Sequence, residues 1–225
     1  MKVLISDFDK TLFTKDYQKN IKAINDFVDK GNIFVIATGR NLVTLTHDLD
    51  KNLKFNYLIC NDGGVIYDKN FKTIYRKDID NNLVKPIFDV LKKDISVGDP
   101  LIDLTFDYSY NLVGNANAII ARIIDYKKAS KLLDFLLSNF SNITGYISDN
   151  WINIDDKSVN KGNGIINLCK IIDYNYKDVY AIGDNTNDIS MCEICHGFCM
   201  VDGSLKLKEN CEDSVENVAM LIDKL

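Results

Sequence analysis

The sequence predicts an α/β fold, in which a Rossmann-like parallel sheet forms a core domain that carries an inserted α+β domain. Short apolar runs rich in β-branched residues alternate with amphipathic helical patterns over residues 1–78, and again over residues 156–225. Such alternation is typical of parallel strands joined by right-handed helical crossovers. Over residues 79–155 the strand patterns have few helices between them, which predicts an antiparallel sheet with helices on one face.

Three short apolar runs in the first region are predicted to be buried strands, at Val3–Ser6, Ile33–Ala37 and Tyr57–Cys60. The helix after the first strand is predicted to be capped by Asp16 and to end at Gly31. Because ligands bind at the carboxyl ends of parallel strands, the chemistry is expected directly after these runs. The strands predicted in the inserted domain are residues 101–106, 112–113, 119–124, 143–147 and 151–154.

The composition limits the partners of the protein. Its 225 residues carry a formal net charge of -5, which argues against a nucleic-acid partner, since such a partner needs a basic face. No apolar run reaches the roughly 18 residues of a transmembrane helix, and the N-terminal apolar run is too short for a signal peptide. We therefore expect a cytoplasmic protein without a membrane partner, whose 6 cysteines are reduced.

Two carboxylates follow the first predicted strand, in the sequence DFDKT at positions 7–11. Because Asp7 and Asp9 are two residues apart at a strand end, both can point into one site, where one attacks phosphorus and the other moves protons. Taken alone, the pattern is equally compatible with a solvated acidic turn. Its position after a buried strand favours the catalytic interpretation.

Candidate phosphate ligands occur after the second strand and at the start of a later helix. In the sequence ATGR, Thr38 can donate its hydroxyl, and Gly39 lets the backbone approach an anion at a helix N-terminus. Lys161, followed by Gly162, can supply fixed positive charge to a phosphate and to a nucleophilic carboxylate. Each motif also has a plainer interpretation, as a helix cap and as a solvated charge.

Oxygen ligands are dense in GDNTND, residues 183–188, which follows another predicted strand. Mg²⁺ prefers carboxylate oxygens in such a setting, although the loop alone is also compatible with a helix cap. The carboxylates of Asp7, Asp9, Asp184 and Asp188 would repel one another strongly if they met without a cation. Phosphoryl transfer requires a nucleophile, a metal, fixed positive charge and backbone donors, and the sequence contains a candidate for each.

Together these motifs resemble the haloacid dehalogenase superfamily. DFDKT, ATGR, the Lys161–Gly162 pair and GDNTND occur in the order of its four motifs. The phrases ICNDGGVIY and WINIDDKSVNKG resemble its Cof-type subgroup, which carries a class IIB cap between the second and third motifs. The resemblance implies a catalytic core over residues 1–78 and 156–225, and a cap over residues 79–155 that determines substrate specificity.

The resemblance also implies a role for each motif residue. Asp7 is implied to be the nucleophile that forms an aspartyl-phosphate, and Asp9 to be the general acid and base. Mg²⁺ is implied to be held by the carboxylates of Asp7 and Asp184 and by the backbone carbonyl of Asp9. Asp188 is implied to support the metal or to orient Lys161. The implied ligands of the substrate phosphate are Thr38, Gly39, Lys161 and Asn187.

Lys10 departs from the family pattern, because the residue after the second aspartate is usually glycine there. We expect it to alter the flap beside the site or to add a cation near the substrate, without removing a catalytic group. The predicted cap is also short for the subgroup, so the substrates of other members do not transfer directly to this chain.

A second metal-binding pattern occurs in Cys192-x-x-Cys195-His196-x-x-Cys199, whose two-residue spacing suits zinc. A helix and then a short strand are predicted over these residues, and buried cysteine is common in such elements. We therefore favour packing over zinc binding for this segment.

The sequence thus predicts a Mg²⁺-dependent phosphatase of small phosphorylated metabolites, with sugar phosphates as the leading class. Two alternatives stay open: a phosphotransferase or phosphomutase on the same scaffold, and a catalytically idle binding protein. The intact set of Asp7, Asp9, Lys161 and Asp184 favours an enzyme over the idle protein.

Overall fold

The structure is a computed structural model of the chain. It describes residues 1–104, 107–111, 115–148 and 150–225. The strand predicted over residues 112–113, and the end of the one predicted over residues 101–106, lie outside these residues.

The chain forms two compact units. The first comprises Met1–Arg40, Thr44–Tyr75 and Asn160–Leu225. The second comprises Asn41–Val43 and Arg76–Val159. The first unit therefore contains both ends of the chain, and most of the second is a single continuous segment.

The described residues form strands and α-helices with the following bounds. The strands are β1 Val3–Ser6, β2 Ile33–Ala37, β3 Tyr57–Cys60, β4 Val65–Asp68, β5 Thr73–Arg76, β6 Leu101–Asp103, β7 Tyr108–Ser109, β8 Ala118–Arg122, β9 Ile143–Ser148, β10 Trp151–Asp156, β11 Val179–Gly183, β12 His196–Met200 and β13 Asp213–Val215. The helices are α1 Tyr17–Asp29, α2 Leu42–Asp48, α3 Asn81–Lys93, α4 Tyr126–Asn139, α5 Lys161–Ile171, α6 Ile189–Cys192, α7 Leu205–Lys208 and α8 Val218–Lys224. Across the described residues, none of these helices has both the length and the apolar character needed to cross a membrane.

The first unit is built on a mostly parallel sheet, which confirms the predicted fold class. Its strand order is β13-β12-β11-β1-β2-β3-β4-β5. Strand β1 pairs in parallel with β2 on one side and with β11 on the other, although β11 lies far along the chain. Because the three strands run in the same direction, their carboxyl ends lie side by side at one end of the sheet.

The central strands are buried on both faces, which explains why their sequences are continuous apolar runs. All four residues of β1 are buried, and Leu4 and Ile5 are 0% exposed. Helix α1 buries Ile21, Ile24 and Phe27, which recur at helical spacing along one face. Burying each such side chain stabilises the fold by about 1.5–3 kcal/mol relative to leaving it exposed.

The second unit is an antiparallel sheet with helices packed against it, as the sequence predicts. Its strand order is β7-β6-β8-β10-β9, and β10 pairs antiparallel with both β8 and β9. One hydrophobic cluster joins the sheet to its helices, including Ile87 of α3, Leu136 of α4 and Ile152 of β10. This unit thus has a core of its own.

Candidate active site

The end of the parallel sheet brings together residues that lie far apart along the chain. Asp7 directly follows β1, and Asp184 directly follows β11. The two strands are parallel neighbours with Ser6 opposite Ile182, and the Asp7 amide donates to the Ile182 carbonyl at 2.9 Å. The backbone therefore places the first and the last acidic motifs beside each other.

Lys161 is the first residue of α5 and contacts both of these acidic motifs. Its side chain is 0% exposed, and its Nζ donates to Asp7 Oδ1 and to Asp188 Oδ1, each at 2.6 Å. An unpaired buried ammonium would cost several kcal/mol, so the two carboxylates allow Lys161 to stay charged. Asn160 fixes the start of the helix, because its side chain accepts from the Asn163 amide at 2.8 Å.

Glycine allows the NDGG loop, residues 61–64, to pack against the start of α5. Gly63 has a φ of 105°, in the left-handed region, and a Cβ there would lie 2.3 Å from the Asn160 carbonyl oxygen. A Cβ on Gly164 would lie 2.8 Å from the Cα of Gly63. Larger residues at either position would push the loop and the start of the helix apart, and Lys161 with them.

Burial opposes the charged form of the groups around Lys161. Burial by itself lowers the pKa of the Lys161 ammonium, but the carboxylates of Asp188 and Asp7 outweigh it and hold that pKa above its usual value. Burial raises the pKa of the Asp7 carboxyl well above its usual value, Lys161 opposes the rise, and Asp188 adds to it. Burial and then Asp188 also raise the pKa of Asp184. One buried ammonium therefore does not balance three neighbouring carboxylates.

This surplus of negative charge fits a divalent cation. Asp7, Asp184 and Asp188 each have a carboxylate oxygen within 4.8 Å of the other two. Hard cations such as Mg²⁺ are bound by carboxylate and carbonyl oxygens in such arrangements. The residues present are therefore suited to hold an ion of this kind.

Asp188 differs from the other two acids because both of its oxygens already accept hydrogen bonds. Its Oδ1 accepts from Lys161, and its Oδ2 accepts from the backbone N–H groups of Asp184 and Asn185 at 2.9 and 3.0 Å. Gly183 makes room for it, since a Cβ there would lie 2.4 Å from the Asp188 carboxylate carbon. Asp188 thus positions Lys161 and the backbone of the GDNTND loop.

Two further hydrogen bonds join the motifs, and in each of them one partner, Thr11 or Asp62, has no role assigned from the sequence. Thr11 Oγ1 donates to Asp184 Oδ1 at 3.1 Å, and Asn187 Nδ2 donates to Asp62 Oδ1 at 3.3 Å. Asp62 is buried and has a φ of 50°, a conformation that is uncommon for a residue other than glycine. In the sequence Asp62 belongs to the phrase ICNDGGVIY, which resembles the Cof-type subgroup but assigns no role to Asp62 itself.

Thr38 and Gly39 follow β2, the other neighbour of β1. Thr38 is 1% exposed, and its Oγ1 accepts from the backbone N–H of Arg40 at 3.1 Å. Since the hydroxyl oxygen acts as the acceptor in that bond, its proton can be donated to an anion. Gly39 is exposed, as a backbone donor to a ligand needs to be.

Asp9 does not contact the buried Lys161 and is instead paired with Arg40. The Asp9 side chain is 47% exposed, and it accepts from Arg40 Nε at 2.8 Å and from Arg40 Nη2 at 2.5 Å. Arg40 also donates to Asp48 Oδ2 at 2.6 Å, and its guanidinium lies 5.2 Å from the centre of the Phe8 ring. The bidentate contact between Arg40 and Asp9 holds the Asp9 carboxylate in one orientation. In the sequence Arg40 is only the last residue of ATGR, and no local pattern indicates its contact with Asp9.

Lys10 adopts a φ of 62°, in the left-handed region that glycine enters without steric cost. Its side chain is exposed. The backbone conformation gives a physical reason for the glycine that the family usually has here, since a residue with a Cβ is strained by about 1 kcal/mol in this region.

Comparisons with known proteins identify the family to which the chain is similar. The model of the haloacid dehalogenase-like hydrolase family matches residues 4–102 and 99–219. A relative from Buchnera aphidicola subsp. Baizongia pistaciae is 29% identical, over 99% of this chain and 97% of the relative. The 5-amino-6-(5-phospho-D-ribitylamino)uracil phosphatase of Bacillus subtilis is 25% identical, over 85% of this chain and 80% of that protein.

A solved structure shares the fold. It is that of a haloacid dehalogenase subclass IIB sugar phosphatase, with a TM-score of 0.82, 18% identity, and coverage of 100% of this chain and 98% of that one. The predicted family resemblance is confirmed, and so is the predicted enzyme class, a phosphoric monoester hydrolase. The chain therefore belongs to the haloacid dehalogenase-like hydrolase family.

Proposed function

We propose that the protein is a Mg²⁺-dependent phosphatase of small phosphorylated metabolites, with sugar phosphates as its main substrates, and that it forms an aspartyl-phosphate on Asp7. The observation that carries the proposal is the buried contact of Asp7 with Lys161, at a strand end where Asp184 and Asp188 add negative charge. The fold shared with a sugar phosphatase supports the substrate class.

Asp7 would attack phosphorus with a carboxylate oxygen while the bond from phosphorus to the leaving oxygen breaks. Lys161 holds Asp7 Oδ1 at 2.6 Å, so the nucleophile has a fixed orientation before the substrate arrives. The phosphate oxygens would be bound by the Thr38 hydroxyl, the Gly39 amide, the Lys161 ammonium and the Asn187 side chain. These donors would stabilise most strongly the negative charge that develops on the phosphate oxygens in the transition state.

The carboxylates of Asp7 and Asp184 and the backbone carbonyl of Asp9 would hold Mg²⁺. When bound, the ion supplies positive charge that lets a carboxylate approach an anionic phosphate and stabilises the transition state. Asp188 would act indirectly, because its oxygens position Lys161 and the backbone N–H of Asp184.

Asp9 would give a proton to the leaving alcohol and later take one from water. That water attacks phosphorus, the bond between phosphorus and Asp7 breaks, and inorganic phosphate leaves. The half-exposed position of Asp9 allows it to exchange protons with solvent, and its contact with Arg40 holds the carboxylate in one orientation.

The nucleophile is tested with Asp7→Asn, which is expected to abolish Mg²⁺-dependent hydrolysis of p-nitrophenyl phosphate because an amide does not form the covalent intermediate. Asp223→Asn, at an exposed position of α8, is the matched control and should keep the wild-type rate. Retention of most activity by Asp7→Asn would contradict the assignment.

The substrate class is tested by measuring kcat/KM for a panel of phosphate esters with the purified protein and Mg²⁺. Sugar phosphates are expected to give the highest values, with free phosphate as the product. A clear preference for another class of ester would overturn the sugar-phosphate assignment, and an isomerised sugar phosphate as the product would identify a mutase.

A further inference from the structure

Three cysteines without a role in the proposed reaction lie together beside the last parallel strands. Cys192 ends α6, Cys199 lies in β12, and Cys211 lies between α7 and β13. Cys192 and Cys199 belong to one hydrophobic cluster, and the Cys211 side chain packs against it beside both thiols. All three are free thiols.

The backbone holds Cys211 close to Cys192. The residue after Cys211, Glu212, donates its N–H to the Gly197 carbonyl at 2.7 Å. Gly197 in turn packs so tightly on Cys192 that a Cβ at Gly197 would lie 2.6 Å from the Cys192 Cβ. Both cysteine-bearing segments are therefore anchored at Gly197, and the closeness of the two thiols is built into the packing.

The two thiols differ in accessibility and in reactivity. Cys192 is 4% exposed, and its Sγ lies 3.7 Å from the Phe198 carbonyl oxygen. Cys211 is only half-buried, and the neighbouring Cys192 side chain lowers the pKa of the Cys211 thiol although burial opposes this. An accessible thiol whose thiolate is stabilised reacts faster with oxidants.

We propose that Cys211 is a peroxide-sensitive thiol and that Cys192 is the partner with which it forms a reversible disulfide. The Cys211 thiolate attacks one oxygen of hydrogen peroxide, the O–O bond breaks, and Cys211 becomes a sulfenic acid as one water forms. The Cys192 sulfur then attacks the Cys211 sulfur, the S–O bond breaks, and a second water leaves. Two thiols thus lose two electrons and two protons, and one peroxide becomes two waters.

The disulfide is expected to affect the proposed active site through α6. Cys192 lies one helical turn after Asp188, whose carboxylate holds Lys161 and the Asp184 backbone. Moving Cys192 toward Cys211 would shift this turn, and Asp188 with it. Oxidation should therefore lower phosphatase activity reversibly, a consequence that rests on the proposed function.

The test is peroxide treatment of the reduced, full-length protein, followed by digestion with trypsin and Glu-C protease without reductant. Cleavage after Glu193 separates Cys192 from Cys195 and Cys199, so mass spectrometry identifies the linked pair. We expect a Cys192–Cys211 cross-linked peptide that lacks two hydrogens, together with a loss of most phosphatase activity that dithiothreitol restores.

Cys211→Ser is expected to give no cross-link and to keep its activity after peroxide treatment. Cys169→Ser removes another buried thiol of the same core and should behave as the wild type. A linkage to Cys199, or no linkage at all, would overturn the assigned pair. A cross-linked protein with full activity would overturn the effect on Asp188, whereas an unoxidised protein without phosphatase activity would count against the proposed function alone.

Discussion

Two sets of ion pairs in the first unit, those of Lys161 and that of Arg40 with Asp9, have similar distances but very different surroundings. The Lys161 contacts with Asp7 and Asp188 measure 2.6 Å, and the three side chains are 0%, 8% and 1% exposed. The contact of Arg40 with Asp9 measures 2.5 Å, and its side chains are 25% and 47% exposed. The difference lies in access to water, which decides how much each set of ion pairs contributes to the stability of the fold.

Loss of one partner has different consequences in the two places. In the interior it leaves a charge that nothing solvates, which typically costs about 3–5 kcal/mol. In a partly exposed pair water replaces the lost partner, and the usual contribution is about 0–1 kcal/mol. We therefore expect the buried ion pairs of Lys161 to support both folding and catalysis, and the partly exposed pair of Arg40 with Asp9 to support catalysis alone.

Lys161→Met is expected to have the largest effect. It leaves Asp7 and Asp188 buried without their cation, so the free energy of unfolding should fall by about 3–5 kcal/mol. Activity should fall by at least about 100- to 1000-fold, because a charged donor to the transition state is lost. Urea unfolding and kcat/KM measure the two effects. Lys170→Met, at the exposed end of α5, is the matched control. Unchanged stability in Lys161→Met would refute the argument from burial.

Arg40→Lys should lower activity by about tenfold, because lysine does not form the two-pronged contact that orients Asp9. The free energy of unfolding should change by less than about 1 kcal/mol. Arg76→Lys alters a similarly exposed pair with Asp78 in the second unit and should leave kcat unchanged. A loss of stability as large as that of Lys161→Met would break the distinction between the two pairs.

Asp7→Asn should have opposite effects on activity and on stability. In metal-free protein it removes one of three crowded carboxylates, so we expect the free energy of unfolding to rise by about 1 kcal/mol. Added Mg²⁺ should raise the Tm of the wild type more than that of the variant, because binding stabilises only the folded state. Thermal unfolding in EDTA and in Mg²⁺ tests this. Destabilisation in EDTA would show that the contact with Lys161 outweighs the repulsion.

Lys10→Gly is expected to have the smallest effect, on the exposed side of the site. Glycine relieves the left-handed backbone at this position, and the unfolding free energy should rise by about 0.5 kcal/mol. Lys10→Ala keeps a Cβ in the same conformation and is the control that should show no gain. Equal stability of the two variants would mean that the backbone of Lys10 is not strained.

The first three strands were predicted at their observed bounds, because a short apolar run buried on both faces is a local signal. Helix α3 was not predicted. It contains Pro86, which normally disfavours a helix interior, although Val84, Ile87 and Leu91 have helical spacing and are buried. Strand β13 was also missed, since three residues at the edge of a sheet carry too little pattern.

By itself the sequence determined which residues are available for the chemistry and in what order they follow the strands, because motifs and hydrophobic periodicity are local. Only the tertiary structure decided the partners: Lys161 meets Asp7 across 154 residues, and Asp9 is held by Arg40. Those contacts depend on the placement of β1 between β2 and β11 and on the burial that results. Both arise from packing between distant segments, which no local pattern specifies.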